Sequence, residues 1–328
     1  MDDIVTDNLT KSYASGWPGR PPFVALDGLS LTVRRGEIFG FLGPNGAGKT
    51  TTLKILLGLV RATSGQAYLL GQPAGDVAAR RRIGFLPESP YFYDYLTAEE
   101  FLGFYGQLAG LARSAITQRV TDLLGLVGLT DARTRQLRKF SKGMLQRVGL
   151  AQALIHDPEL IILDEPMTGL DPVGRKQVRD LILNLRDRGK TVFFSTHILH
   201  DVEMICDRVG IVMKGRLVAS GRVDELVRQD HTQSVEVVCQ QLKVEENAFI
   251  HSLATRVLQQ GQQCLIVLPS PDAVDALVGE IRRQGGRLLS VTPHKASLED
   301  LFFQEATQRT SPSLPLSLIH ISEPTRPY

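Results

Sequence analysis

Cysteine, surplus charge and long apolar runs are all scarce in this chain, and each scarcity removes a class of function. Cys206, Cys239 and Cys264 are odd in number and widely spaced, which matches neither a disulfide framework nor a zinc-ligand set. A reducing cytosol is the simplest compartment for them. Basic residues number 37 and acidic ones 35, a net charge of +2, so no global field favours nucleic acid or an anionic membrane surface. The opening MDDIVTDNL is acidic where a secretion signal would be basic and then apolar, and no apolar run approaches the ~18 residues that cross a bilayer. Any membrane role is therefore expected to run through a partner. What remains, at 43% hydrophobic and 22% charged over 328 residues, is an ordinary globular composition with room for one large or two modest domains.

Five short apolar runs carry the organisation: EIFGFLG (37–43), RIGFLP (82–87), ELIILD (159–164), TVFFST (191–196) and RVGIVM (208–213). Apolar throughout rather than alternating, they suit strands covered on both faces, and the helical patterns between them suit crossover connections. An α/β core with a largely parallel sheet follows. Between Tyr91 and Leu129 the pattern is purely helical, which predicts an inserted helical subdomain over about 90–155. After about Gln229 a second character begins. SVEVVC, a helix near 246–260, CLIVLP, a helix near 272–285 and RLLSVTP predict a small α+β accessory domain over 230–309. Residues 310–328 form a tail. Its end, LSLIHISEPTRPY (316–328), looks like the in-frame translation of a sequencing-library adaptor and is set aside from the fold.

The chemistry sits in the motifs. GPNGAGKT (43–50) fits Gly-x-x-x-x-Gly-Lys-Thr after an apolar strand and before a helix expected from Lys49. Gly43, Pro44, Asn45, Gly46, Ala47, Gly48 and Thr51 with it form a loop whose N–H groups point at phosphate oxygens, backed by the positive helix end. Lys49 is expected to neutralise the β- and γ-phosphates of a nucleotide, and Thr50 to offer its hydroxyl to Mg²⁺. LIILDEP (160–166) supplies a carboxylate at a strand end: Asp164, holding Mg²⁺ directly or through water. Glu165 is the candidate base for an attacking water. His197, just past TVFFST, falls on the same sheet edge and is expected to contact the γ-phosphate or that water. FSKGMLQR (140–147) reads as a turn running into a helix capped by Ser141, with Met144, Val148, Ala151 and Ile155 on one apolar stripe. A serine, a lysine and a glycine at the positive end of that helix suit an anion.

In motif order, residues 1 to about 229 resemble the ATP-binding subunits of ABC transporters: GPNGAGKTT, FSKGM (140–144), LIILDEP, TGLDP (168–172) and His197. The resemblance implies an α/β P-loop NTPase with an ABC-type helical subdomain and ATP hydrolysis coupled to transport. It further implies that Ser141 and Gly143 grip the γ-phosphate of ATP on a second copy of the chain, that Asp171 links the two sites, and that Tyr13 stacks on adenine. Two copies would close on two ATP molecules and reopen after hydrolysis.

Two residues depart from the family pattern. Glu88 in GFLPESP stands where glutamine is usual; it still offers oxygen to Mg²⁺ and can hydrogen-bond water, but adds negative charge beside ATP. In the signature, Lys142 and Met144 replace glycine and glutamine, as in variants similar to those of ABC-2 type export systems. PYFYDYLTAEEFLGFYG (90–106) holds seven aromatics; Phe101 and Phe104 are expected in the helical core, while Tyr91, Phe92 and Tyr93 stand open between core and an exposed groove. In the family this region receives a helix of the membrane subunit. The implied partners are a second copy and a separate integral membrane permease, with no nucleic acid, and the implied location is cytoplasmic, peripheral on the inner face of the cell membrane. The rival class is a soluble ABC ATPase acting on ribosomes, DNA repair or iron–sulfur assembly; against it stand a single P-loop with a single signature and no basic patch.

Overall fold

Continuous apolar runs and alternating ones build different sheets in this protein. The computed structural model describes residues 1–14, 21–229, 234–242 and 247–293; the expectations for the 310–328 tail and the end of the accessory domain lie outside the described residues. The chain opens with β1 (Asp2–Tyr13), β2 (Phe23–Arg34) and β3 (Ile38–Leu42), followed by α1 (Lys49–Leu56), β4 (Ser64–Leu69) and β5 (Gln72–Pro73). Next come α2 (Val77–Arg80), β6 (Ile83–Leu86), α3 (Ala98–Leu108), α4 (Arg113–Leu126), α5 (Lys142–Ala153) and β7 (Leu160–Asp164). Then follow α6 (Pro172–Asp187), β8 (Thr191–Thr196), α7 (Leu199–Ile205), β9 (Arg208–Met213), β10 (Arg216–Arg222) and α8 (Val223–Gln229). The last described elements are β11 (Val235–Gln240), α9 (Ala248–Leu253), β12 (Arg256–Gln260), β13 (Gln263–Leu268), α10 (Val274–Arg283) and β14 (Arg287–Pro293).

All five apolar runs fall in one six-stranded sheet of order β10-β9-β3-β8-β7-β6. Its pairs β9–β3, β3–β8, β8–β7 and β7–β6 are parallel, and only β10 runs antiparallel, joined to β9 by a tight turn. Lys214 and Gly215 both take positive φ there, +48 and +80, the geometry that lets a two-residue turn follow the strand twist. Every residue of β3, β7 and β8 is buried, as crossover helices on both faces require.

A four-stranded antiparallel sheet, β2-β1-β4-β5, is absent from the sequence reading. In β2 the buried Leu29, Leu31 and Val33 alternate with less buried neighbours, so only one face is covered and no continuous apolar run results. That inner face packs with Phe39, Phe41 and Leu53 and fixes α1 behind the phosphate loop.

Between the adjacent strands β6 and β7 the chain leaves to form α3, α4 and α5. Phe101, Leu102, Ile116, Val120, Leu123 and Leu124 join their apolar faces to the core beneath β7 and β8. Thr97 and Glu100 close a reciprocal capping box on α3, which fixes the helix start.

Beyond Gln229 a separate apolar cluster centres on Val237, Ile250, Ile266 and Ile281, under a sheet of order β12-β13-β11-β14. The helix expected near 246–260 is only half helix: α9 ends at Leu253, and Arg256–Gln260 is the strand β12. A two-residue turn, with Gly261 at φ +61, pairs β12 to β13 from Arg256↔Val267 to Gln260↔Gln263, and hairpin pairing overrides the local pattern.

Candidate active site

Four adjacent parallel strands, β3, β8, β7 and β6, end on the same sheet edge, and each hands its following residues to that edge. β3 delivers the phosphate loop, β7 Asp164 and Glu165, β8 Thr196 and His197, and β6 Glu88. A crevice at the carboxyl ends of parallel strands is where ligands bind in such sheets. Here it is a cavity of about 590 Å³. Pro44, Asn45, Gly46, Gly48, Lys49, Thr50, Thr51, Glu88, Glu165, Thr168 and His197 line it, together with Phe23 and Ala25. A cleft of similar size beside α1 and β4 is lined without any carboxylate.

The loop's shape follows from its glycines. Gly48 takes φ +106 at the start of α1, and a Cβ there would meet Ala25 O at 2.6 Å and Leu26 Cδ2 at 2.7 Å. Only glycine satisfies both constraints at once. Gly43 and Ala47 are tied to the sheet by Gly43 N donating to Thr196 O at 3.1 Å and Gly215 N donating to Ala47 O at 2.9 Å.

Glu165 is the hub of the site. It is 7% exposed and takes φ +49, a conformation that costs a non-glycine residue about 1–3 kcal/mol and must be held by its surroundings. The backbone N–H donates to Ser195 Oγ at 3.0 Å. One carboxylate oxygen lies 3.2 Å from Lys49 Nζ; the other accepts from the Thr168 hydroxyl at 2.9 Å and lies 2.9 Å from His197 Nδ1. Burial pushes this carboxyl up, but the His197 hydrogen bond, the Lys49 charge and the Thr168 hydroxyl together hold it below its ordinary value. Lys49 also donates to Gly43 O at 2.7 Å and Pro44 O at 3.3 Å.

Asp164 is buried behind Glu165 and accepts from Ser195 Oγ at 2.5 Å and from the Thr50 hydroxyl. Burial raises its carboxyl above the usual range, with the two hydroxyls opposing. Among the described residues no group of three His, Cys, Asp or Glu side chains is placed to hold a metal, so an all-protein cage is not available. An oxygen set of Thr50 and Asp164, with Glu88 on the same cavity, fits instead a hydrated Mg²⁺ that takes its remaining ligands from water and phosphate.

Other sequence candidates fall elsewhere. Ser141 caps α5, accepting from Met144 N at 3.3 Å, and Asp171 caps α6, accepting from Gly174 N at 2.8 Å. Neither these two nor Gly143 lines the cavity. Lys142 lies across Gly169 of the TGLDP loop, filling the space a side chain would need there. Tyr13 is the last residue of β1, with Lys11 Nζ 4.9 Å from its ring centroid. It does not line the cavity; its cross-strand partner Phe23, 63% exposed, does. Phe104, expected in the core, is partly exposed and meets Tyr93 edge-on at 5.6 Å; one turn along α3 from buried Phe101, it sits at the rim of the covered face. Phe92 packs into the core against Phe101, whereas Tyr91 is 82% exposed.

Three site residues escaped the sequence reading: Ser195, Thr168 and Phe23. The signal for Ser195 was a hydroxyl inside the apolar run TVFFST. Buried completely, it bridges Asp164 and the Glu165 backbone.

This fold and site define a P-loop NTPase. The family described as ABC transporter matches residues 26–168. An ABC transporter ATP-binding protein of Nostoc sp. is 47% identical over 92% of this chain and 89% of its own length. The Nod factor export ATP-binding protein I of Cupriavidus metallidurans is 36% identical over 86% of this chain and 92% of its own. A solved dimeric, post-hydrolysis ATP-binding cassette bound to ADP and phosphate is 26% identical, with a TM-score of 0.61, covering 67% of this chain and 98% of that one. The chain belongs to the ABC transporter ATP-binding proteins. It is an ATP-hydrolysing enzyme of a transport family, and among its described residues no helix is long and apolar enough to cross a membrane.

Proposed function

We propose that this chain powers an ABC-2 type exporter as a head-to-tail pair of copies, docked on a separate integral membrane permease at the cytoplasmic face of the cell membrane. Residues 1–229 form the ATPase domain, about 90–155 its helical subdomain, and 230–309 an accessory domain. One observation carries the paired reading: Ser141 and Gly143, at the head of α5, line no part of their own chain's phosphate cavity. They act on ATP held by the second copy, with Asp171 beside the junction. Export is supported by the Nod factor relative, whose length the chain nearly spans, and by the SKGM form of the signature.

Within each site the phosphate loop and Lys49 hold the β- and γ-phosphates, and adenine stacks at the Tyr13–Phe23 pair. Glu165 accepts a proton from water as the water oxygen bonds the γ-phosphorus and the bond to the ADP oxygen breaks; ADP and phosphate leave. His197, hydrogen-bonded to Glu165, orients that base. Thr50, Asp164 and Glu88 would hold Mg²⁺, which when bound neutralises charge on the phosphates.

Because Glu88 adds a negative charge where glutamine is usual, Glu88→Gln is expected to raise turnover and shift its Mg²⁺ dependence. Kinetics identical to the parent across a Mg²⁺ titration would make the substitution neutral.

The docking surface on the permease side is the aromatic cluster of Tyr91, Tyr95 and Phe104 gathered around the Tyr93 ring, of which Tyr91 and Tyr95 are 82% and 62% exposed. Expressed in its own host, the chain should sediment with membranes together with a multi-spanning protein, and Tyr91→Ala/Tyr95→Ala should release it. Recovery of the parent chain from the soluble fraction alone would overturn the exporter reading.

A further inference from the structure

One buried charge in this protein has no part in the chemistry described so far. Asp201, on α7, is 1% exposed. One carboxylate oxygen lies 3.3 Å from Arg179 Nη1 on α6, and Arg179 is itself largely covered. The other oxygen, Oδ2, is buried with no hydrogen-bond partner among the described residues. A buried ion pair left half satisfied is a poor source of stability, since apolar side chains of similar volume hold two helices at least as well. Its cost therefore points to a geometric role.

The geometry is a closed ring around Glu165. α6 is capped by Asp171, three residues after Thr168, whose hydroxyl donates to Glu165. α7 begins two residues after His197, whose ring meets the same carboxylate oxygen. The two loops that grip Glu165 thus each lead into one of these helices, and Arg179–Asp201 ties the helices together farther out. Guanidinium is suited to this task because it keeps its charge at any working pH, so the single Nη1 to Oδ1 tie persists throughout.

We propose that Arg179 and Asp201 are positioning residues for ATP hydrolysis: the pair sets α7 against α6 so that His197 and Thr168 hold Glu165 in its productive orientation. Neither residue lines the cavity, so the pair governs the rate of the bound complex and not the grip on ATP. This inference rests on the reading of Glu165 as the base.

The test uses the purified full-length chain, with ATPase kinetics and thermal melting measured together. Asp201→Asn and Arg179→Met should each lower kcat at least about tenfold while leaving KM for ATP within about twofold, as loss of a merely orienting contact does. Arg179→Lys should recover part of the rate. The double variant Arg179→Met/Asp201→Leu, which fills the site with apolar volume, should melt no lower than the parent and still hydrolyse slowly. Full kcat in that double variant would reduce the pair to packing and overturn the proposal, as would parental kcat in both single variants, or losses in kcat and KM that only follow the melting temperature. Glu165→Gln measured alongside separates the two failures: if it keeps parental turnover, the reading of Glu165 falls instead.

Discussion

Glu165→Gln should bind ATP and hydrolyse it at least about 100-fold more slowly, because the amide cannot take the proton that a general base contributes about that much by accepting. Lys49 retains its bonds to the carbonyls of Gly43 and Pro44, and the amide can still accept from Thr168, so the cavity survives. With hydrolysis blocked, ATP-loaded copies should accumulate as a pair, read by light scattering as a doubling of mass on adding ATP and Mg²⁺. A variant that stays monomeric under those conditions would remove the sandwich from the proposal. One that turns ATP over at the parental rate would remove Glu165 from the role of base.

Lys49→Ala should affect both binding and folding. A charged hydrogen-bond donor to phosphate is worth about 1.5–3 kcal/mol, so ATP affinity should fall about 10- to 150-fold by calorimetry, and unchanged affinity would take Lys49 out of the site. The second effect follows from the 3.2 Å pair with Glu165, both side chains being 7% exposed. Removing one partner of a buried pair costs about 3 kcal/mol, moderated here because Thr168 and His197 still hold the other oxygen. The melting temperature without nucleotide should therefore drop. Adding Glu165→Gln to Lys49→Ala should restore much of it, since the stranded charge goes too; a double variant less stable than the single one would contradict that account.

Legibility in the sequence followed the physics of burial. Strands covered on both faces announced themselves as IFGFL, LIILD and TVFFST, and the residues just beyond their ends supplied the phosphate loop, Asp164, Glu165 and His197. Strands covered on one face did not. β1, DDIVTDNLTKSY, carries four charges on twelve residues and reads as a loop unless its alternation is followed through several register shifts. β12 was hidden by a turn whose signal was a single glycine. At the site, the sequence offered chemistry but not orientation: Phe23 and Tyr13 are both aromatics near one strand end, and only their cross-strand pairing decides which one lines the cavity. Ser195 was the hardest to find, because a hydroxyl in a buried strand looks like a tolerated interruption until Asp164 is seen beside it.

The helical insertion leaves the sheet at the end of β6 and returns at the start of β7, two strands that lie side by side. Because the two strands run parallel, its points of attachment lie at opposite edges of the sheet: Leu86 is level with Leu163 and Leu160 with Ile83. The α3–α4 part of an insertion hung this way can be lengthened or given other aromatics without changing the order of a single strand or the place of the phosphate loop. The phosphate chemistry is in this sense separable from the insertion: the one lies at the edge of the parallel sheet, and the outer surface of the other is free to diverge.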